Sequence, residues 1–210
     1  QNDATGKAKD LVRMAIAKAA LLEPLSTQMV EMNQKALVIG GGLAGMAAAR
    51  KIAQAGFEVF LVEKESELGG KARKIHHTIE GLNVQSHLER LIGEMEKDSQ
   101  IHILKETTIE KIEGFVGNFK TRIQSDGEAK DLEHGVIIVA TGAEEYQPKE
   151  YLYGMDHRVI TQMDLEREMV LHPEFFKGFK NVVMIQCVGS RNEERPYCSR
   201  ICCSEAIKNG

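Results

Sequence analysis

Two groups of residues have the types and spacing to do chemistry. The first is the turn Gly40-Gly41-Gly42-Leu43-Ala44-Gly45, in which Gly40, Gly42 and Gly45 follow the Gly-x-Gly-x-x-Gly pattern. In that pattern the first glycine permits a tight exit from a strand, the second lets backbone approach a diphosphate, and the third lets a helix pack closely on the sheet. The helix that follows offers unpaired N–H groups and about half a unit of positive charge to the phosphates. Glu63 lies 23 residues beyond Gly40, near the spacing of roughly 20 at which an acid accepts hydrogen bonds from a ribose 2′-hydroxyl. An acid there repels a 2′-phosphate, so NADP is disfavoured, but these residues alone do not separate FAD from NAD. The competing reading is a glycine turn that merely joins strand to helix, with Glu63 solvated.

The second group is four cysteines, Cys187, Cys198, Cys202 and Cys203. Four sulfur ligands suit an iron–sulfur cluster or zinc. On a helix Cys198 and Cys202 share a face while Cys203 turns about 100° away, so convergence requires the Pro196-Tyr197 segment to bring the chain back toward Cys187. Arg191, Arg195 and Arg200 crowd the same stretch as fixed donors toward anionic sulfur. Other readings stay open: inert buried thiols, a Cys202-Cys203 or Cys198-Cys202 redox disulfide (the adjacent pair being strained), or structural zinc, although the spacing departs from paired CxxC ribbons. Cysteines confined to one short stretch cannot form the disulfide framework of a secreted protein, which points to a reducing cytoplasm.

These groups need elements to position them. The apolar run Lys35 to Ile39 reads as a buried strand, Ala44 to Ala55 as a helix closed by Gly56, and Phe57 to Val62 as a second buried strand, together one βαβ unit. Asn83 to Asp98 predicts another helix and Gln100 to Leu104 a strand. Thr107 to Ile112 and Asn118 to Gln124, flanked by Gly114, Gly117 and Gly127, predict a small antiparallel meander, and Val136 to Ala140 returns to the buried-strand type. Asn181 to Gln186 is expected to open a second βαβ unit whose helix begins near Cys202. Its turn holds only Gly189, which argues against a nicotinamide docking there. Residues 7 to 22 predict an amphipathic helix ended by Pro24, packing on its own domain or an upstream one, with partner docking as the alternative. The expected fold is α/β: a Rossmann-like FAD/NAD(P)-binding domain with a parallel sheet and a small β meander, preceded by an N-terminal helix. The expected divisions are 1–33 (helix and linker), 34–145 (Rossmann half with meander) and 146–210 (connector and start of a second Rossmann half carrying the cysteines).

A chain of 210 residues with 42% apolar composition can bury a core. Beginning at Gln1 and stopping inside a helix, it reads as a fragment. Net charge of −4 with interspersed signs provides no field for nucleic acid, and no run approaches the roughly 20 apolar residues of a membrane span.

The run from Gln186 to Cys203, Gln-Cys-Val-Gly-Ser-Arg-Asn-Glu-Glu-Arg-Pro-Tyr-Cys-Ser-Arg-Ile-Cys-Cys, closely resembles the signature of the A-type subunit of heterodisulfide reductase and related polyferredoxin-type flavoproteins. Lys7 to Leu25, Val38 to Gly70 with Glu67-Leu68-Gly69-Gly70, and Val139-Ala140-Thr141-Gly142 resemble the same family. The resemblance implies a thioredoxin-reductase-like domain that binds FAD in the first Rossmann half and a [4Fe-4S] cluster on Cys187, Cys198, Cys202 and Cys203. The implied flavin contacts are Gly40, Gly42, Leu43, Ala44 and Gly45 around the pyrophosphate, Glu63 and Lys64 at the ribose end, Gly69, Gly70 and Ile109, and Ala140, Thr141 and Gly142 at the closing edge. In such proteins the flavin can split electron pairs and pass them through clusters to partner redox subunits of the heterodisulfide reductase, hydrogenase or ferredoxin type. Heterodisulfide itself is cleaved elsewhere in the assembly, so the chain would relay electrons. Some members carry a ferredoxin insert or further cysteines after Gly69-Gly70, whereas here His76 to Gly81 leads straight to the next helix. His76, His77 and His87 are candidates for a proton relay, solvated histidines being the commoner case. No residue stands out as a general acid or base.

Overall fold

In the computed structural model, which describes residues 2–24 and 29–210, side-chain alternation divides the parallel strands between two cores. In β1 (Ala36–Ile39) and β2 (Val59–Val62), Ala36, Val38, Val59 and Leu61 face one layer, while Leu37, Ile39, Phe60 and Val62 face the other. This is the period-two geometry of a strand covered on both sides. On the first face lie α2 (Leu43–Gln54) and α3 (Val84–Glu96), whose Met46, Ala49, Leu88, Leu91 and Met95 complete the larger core. On the second face lies an antiparallel meander of β4 (Thr107–Phe115), β5 (Asn118–Ser125) and β6 (Glu128–His134), which contributes Ile123 and Leu132.

The parallel sheet has the order β3-β2-β1-β7, with β3 at Ile101–Leu104 and β7 at Val136–Val139. Chain connections run from β1 to β2 and β3 on one side, while β7 adds on the other. The carboxyl end of β1, where the glycine turn begins, is therefore the switch point at which α/β sheets open a ligand crevice. β7 is an edge strand, opposite β3, and its Val139 is 70% exposed despite an apolar sequence. The meander has a third strand, β6, beyond the two expected. His134 of β6 is fully buried, with Nε2 2.8 Å from the Thr121 hydroxyl and Nδ1 3.1 Å from the Val136 carbonyl oxygen.

Two compact units are formed, residues 1–31 and 32–210. In the first, α1 (Asn2–Ala20) begins five residues before the expected start and closes with tight turns from Lys18 to Leu21 and Ala19 to Leu22. Its apolar stripe stays open, with Leu11, Val12 and Ile16 all more than half exposed. The expected linker and the Lys7 to Leu25 stretch include residues 25–28, which lie outside the described ones.

The expected strand at Asn181 to Gln186 is not formed. No described strand lies alongside it, and Val182, Val183 and Ile185 are 61%, 80% and 50% exposed. The β-branched composition favours extended backbone, but a strand also requires a neighbour's N–H and C=O groups. Two elements precede it that the periodicity does not reveal: α4 (Gln162–Leu171) and a 3-10 helix at Pro173–Gly178. Thr161 and Asp164 form a reciprocal capping box at the start of α4. The last helix, α5 (Cys202–Asn209), starts where expected.

Candidate functional site

The four glycines of the turn differ in what surrounds them. A Cβ on Gly40 would run into the Ala140 carbonyl oxygen, and one on Gly45 into the carbonyl oxygen of Gly40. One on Gly41 would lie 2.5 Å from Leu68 Cδ2 and 3.0 Å from Glu63. Around Gly42 nothing lies within 4 Å of that position. The turn is thus wedged between β7's exit, Leu68 and its own helix, with one open face at Gly42. Gly42 is the N-cap of α2 and no side chain caps that helix, so its first N–H groups are left for an anionic ligand. Leu43 and Ala44 are exposed on the first turn.

Glu63 is buried at the end of β2, where Oε2 accepts from Gly41 N–H at 2.7 Å and Oε1 from Glu65 N–H at 2.9 Å. The carboxylate therefore braces the turn as well as ending the strand. It retains acceptor capacity for hydroxyl groups, since an ionised carboxylate offers about four lone-pair sites. Gly69 runs beside the turn, its N–H donating to the Gly41 carbonyl at 2.8 Å. Both Gly69 (φ 112°) and Gly70 (φ 50°) occupy the left-handed region that favours glycine, and a Cβ on Gly70 would come within 3.4 Å of Gly42 Cα.

Ala140 hydrogen-bonds the Ile39 carbonyl at 2.8 Å, leaving Thr141 and Gly142 exposed just past the turn. Lys64 is exposed beside Glu65. Ile109, at a β-bulge in β4, packs into the core between the sheets. Its strand is held to this end of the molecule by the Thr107 N–H to Glu63 carbonyl bond of 2.9 Å. The structure thus gathers the glycines, Glu63, Ala140, Thr141 and Gly142 at the carboxyl end of the sheet.

The cysteines meet only in part. Among the described residues no group of three or more His, Cys, Asp or Glu side chains is close enough to hold a metal ion, and all four cysteines are free thiols. They nevertheless share one corner. The Ser199 hydroxyl, 3.6 Å from Cys202 Sγ, and the Cys187 backbone N–H lower the Cys202 thiol below its ordinary value. Lost hydration raises Cys203, with the negative fields of Cys202, Cys187 and Cys198 adding to it. Arg200 N–H lies 3.3 Å from Cys198 Sγ and Arg191 Nη1 4.0 Å from Cys187 Sγ. Four soft sulfur groups, three with a donor beside them, fit the chemistry of an anionic iron–sulfur centre. Cys187, Arg191 and Arg200 all have positive φ (65°, 56° and 63°), a costly backbone state that tends to occur at functional sites.

Several contributors were not singled out from sequence. The Tyr146 ring packs against the backbone of Gly189 in the Cys187 turn, with the Arg195 guanidinium 5.4 Å from its centroid. Glu166 of α4 is buried, its Oε1 accepting from the His76 N–H at 2.6 Å and its Oε2 from Lys208 Nζ at 2.7 Å. Burial pulls the Glu166 pKa up, but Lys208 and the His76 amide together hold it below the ordinary value. The capping box is the sequence signal for α4 and hence for Glu166. His76 and His77 thus act through backbone N–H groups, while the exposed His87 ring lies 3.1 Å from Arg90.

Comparison with known proteins bears on this geometry. A family model described as pyridine nucleotide-disulphide oxidoreductase matches residues 34–185. The chain is similar to the A-type subunit of the H(2):CoB-CoM heterodisulfide,ferredoxin reductase of Methanothermobacter marburgensis, with 31% identity covering 98% of this chain and 45% of that protein. It is also similar to a protein of Archaeoglobus profundus described as like the A-type heterodisulfide reductase subunit, 43% identical over 122 residues, 58% of this chain and 17% of that one. The chain spans about half the length, 45%, of the Methanothermobacter relative. That alignment runs over 297 positions against 210 residues here, so the relative holds additional sequence within the matched span. The solved L-proline dehydrogenase from P. horikoshii matches 58% of this chain and 25% of its own at 21% identity and a TM-score of 0.47. No helix among the described residues is long and apolar enough to cross a membrane.

Proposed function

The chain belongs to the pyridine nucleotide-disulphide oxidoreductase family, and from that premise we propose that it is the flavin-binding, cluster-bearing part of an electron-transfer oxidoreductase, of the kind represented by the A-type heterodisulfide reductase subunit. The observation that carries this reading is the presence in one compact unit of a glycine turn open only at Gly42 and a corner of four thiols, three of which have a donor beside them. Bound FAD supplies a centre that takes electrons in pairs and releases them singly, and a [4Fe-4S] cluster supplies a one-electron conduit.

The chain's own residues bind and orient. Gly40, Gly42, Leu43, Ala44 and Gly45 present backbone to the diphosphate, Glu63 accepts from the ribose, and Lys64 lies beside it. Gly69, Gly70, Ala140, Thr141 and Gly142 frame the rest of the site, and Ile109 supports it from the core between the sheets. Cys187, Cys198, Cys202 and Cys203 would hold the cluster, which would require their sulfurs to come closer together than they stand in the free chain, since metal binding and local folding are linked. Arg191, Ser199 and Arg200 donate toward the sulfurs and stabilise their negative charge. Acceptors are partner redox subunits of the ferredoxin, hydrogenase or heterodisulfide reductase type, in a cytoplasm that keeps thiols reduced. The description of the Methanothermobacter relative as one subunit of a larger reductase supports that assembly.

The test is anaerobic purification with a visible spectrum and iron, zinc and sulfide analysis. Flavin bands with about four irons and four sulfides per chain are expected. Flavin without iron, even after reconstitution, together with NAD(P)H-dependent reduction of a disulfide probe to its dithiol would replace this reading with a redox-thiol reductase. Zinc without flavin would replace it with an assembly module.

A further inference from the structure

Buried hydrogen-bonding atoms in proteins are nearly always paired, so an unpaired one signals a missing partner. Among the described residues a single buried side-chain nitrogen or oxygen lacks a hydrogen-bond partner: Nε2 of Gln186. Gln186 directly precedes Cys187, the residue whose backbone N–H reaches the Cys202 sulfur. The segment leading to it is open, with Val182, Val183 and Ile185 exposed, yet the amide itself is turned out of solvent. An amide that could hydrate freely has no reason to be buried unpaired, because it gives up its bonds to water and gains none in exchange.

We infer that Gln186 is a donor to the redox centre held by the neighbouring cysteines, its Nε2–H hydrogen-bonding a sulfur of the cluster. This rests on the reading of the four cysteines as cluster ligands. The donors already present make that destination coherent. Arg191 approaches the Cys187 sulfur, Ser199 the Cys202 sulfur and the Arg200 N–H the Cys198 sulfur. The Gln186 amide, one residue before the first ligand in the chain, would add a neutral donor. A neutral donor tunes an anionic centre without forming an ion pair, and hydrogen bonds to cluster sulfur stabilise the more negative, reduced state. Gln186 is a positioning and tuning residue by this account, since it exchanges no electrons.

The test compares wild type with Gln186→Met, of similar length and without the amide, in the full chain. Three quantities are read: thermal midpoint of the iron-free protein, cluster retention against a ferrous chelator after reconstitution with iron and sulfide, and cluster midpoint potential. The expected pattern has opposite signs in the two states. The iron-free variant melts higher, because its buried donor has no partner to miss. The loaded variant loses iron more readily, by about 10- to 100-fold, and its cluster potential becomes more negative. A side chain that merely fills space would lower the melting point of the empty protein and leave the potential unchanged, and that result overturns the inference. A shift in flavin spectrum or potential with an unaltered cluster overturns it too, by assigning the amide to the flavin. A wild-type chain that takes up no iron overturns the cluster reading itself, and this inference with it.

Discussion

Gly42 and Gly45 stand three residues apart in one turn, and the same substitution is expected to fail at one for binding and at the other for folding. Gly42 has φ −73° and ψ 178°, a conformation any L-residue adopts, and open space where a Cβ would go. Gly42→Ala therefore meets no clash; it restricts the unfolded chain, which stabilises by about 0.4–1 kcal/mol, and gives up glycine's advantage at the N-cap of α2, a loss of about the same size. The two nearly cancel, so the melting midpoint of the flavin-free protein stays within about 2 °C of wild type. The added methyl occupies the side from which a diphosphate approaches. Losing one hydrogen bond to a charged oxygen costs about 1.5–3 kcal/mol, a roughly 10- to 150-fold rise in Kd. At Gly45 the helix interior would gain about 1 kcal/mol from alanine, but the methyl meets the Gly40 carbonyl oxygen, backbone that cannot rotate aside. Overpacking of this kind costs about 1–3 kcal/mol or more, so Gly45→Ala melts lower. The assay is flavin-free protein titrated with FAD by fluorescence quenching, beside thermal melts by circular dichroism. Wild-type affinity in Gly42→Ala would refute the placement of the diphosphate, and a melting point lowered in that variant as far as in Gly45→Ala would refute the open-face argument.

Cys202→Ser should lose most reconstituted iron while keeping flavin; equal iron in variant and wild type would remove Cys202 from the ligand set. Glu166→Gln breaks a buried ion pair while Lys208 keeps Glu205, so the cost is about 1.5–3 kcal/mol, that of a charged hydrogen bond, to be read as a drop in urea midpoint; an unchanged midpoint would show that the pair carries no stability. Burial holds the His134 pKa below its ordinary 6.5, against the opposing pull of the Val136 carbonyl. Its contribution is therefore complete above pH 6.5 and is lost as pH falls toward the lower folded value, because only the unfolded chain binds the proton in that window. The urea midpoint of wild type should fall more between about pH 7.5 and 5.5 than that of His134→Gln, and parallel curves would contradict this.

What the sequence reveals depends on how local the cause is. The glycine turn, α2, β2 and α3 follow from periodicity, and Asn83 caps α3 by accepting from Ser86 N–H at 2.9 Å. β6 is less legible: the stretch Glu128-Ala129-Lys130-Asp131-Leu132-Glu133-His134 has three acids and little β-propensity. It becomes a strand because β5 offers an edge and because Leu132 and His134 fall on the inward side. Segment 181–186 is the converse, with strong β-propensity but no neighbouring strand. α4 carries its capping box in plain view, yet the charged Glu166 stands at a buried position where periodicity asks for an apolar residue. A buried charge is readable only once its partner is known, and Lys208 lies 42 residues away.

That distance explains how the two chemical groups come to share one unit. The glycine turn and the cysteines make no contact in sequence, and neither group's spacing contains information about the other. The connection runs from Gly69 at the turn, through the 3-10 helix Gly70–Lys74, to the His76 and His77 N–H groups on Glu166. From Glu166 it passes to Lys208 on α5, whose first two residues are Cys202 and Cys203. Lys208 is itself pulled down by burial but held above its ordinary pKa by Glu166 and Glu205. A well-packed apolar contact would hold α5 about as strongly at less desolvation cost. Three directional acceptor bonds on one carboxylate fix the helix in a single register instead, so the cysteine corner is oriented by the same chain segment that frames the open face at Gly42.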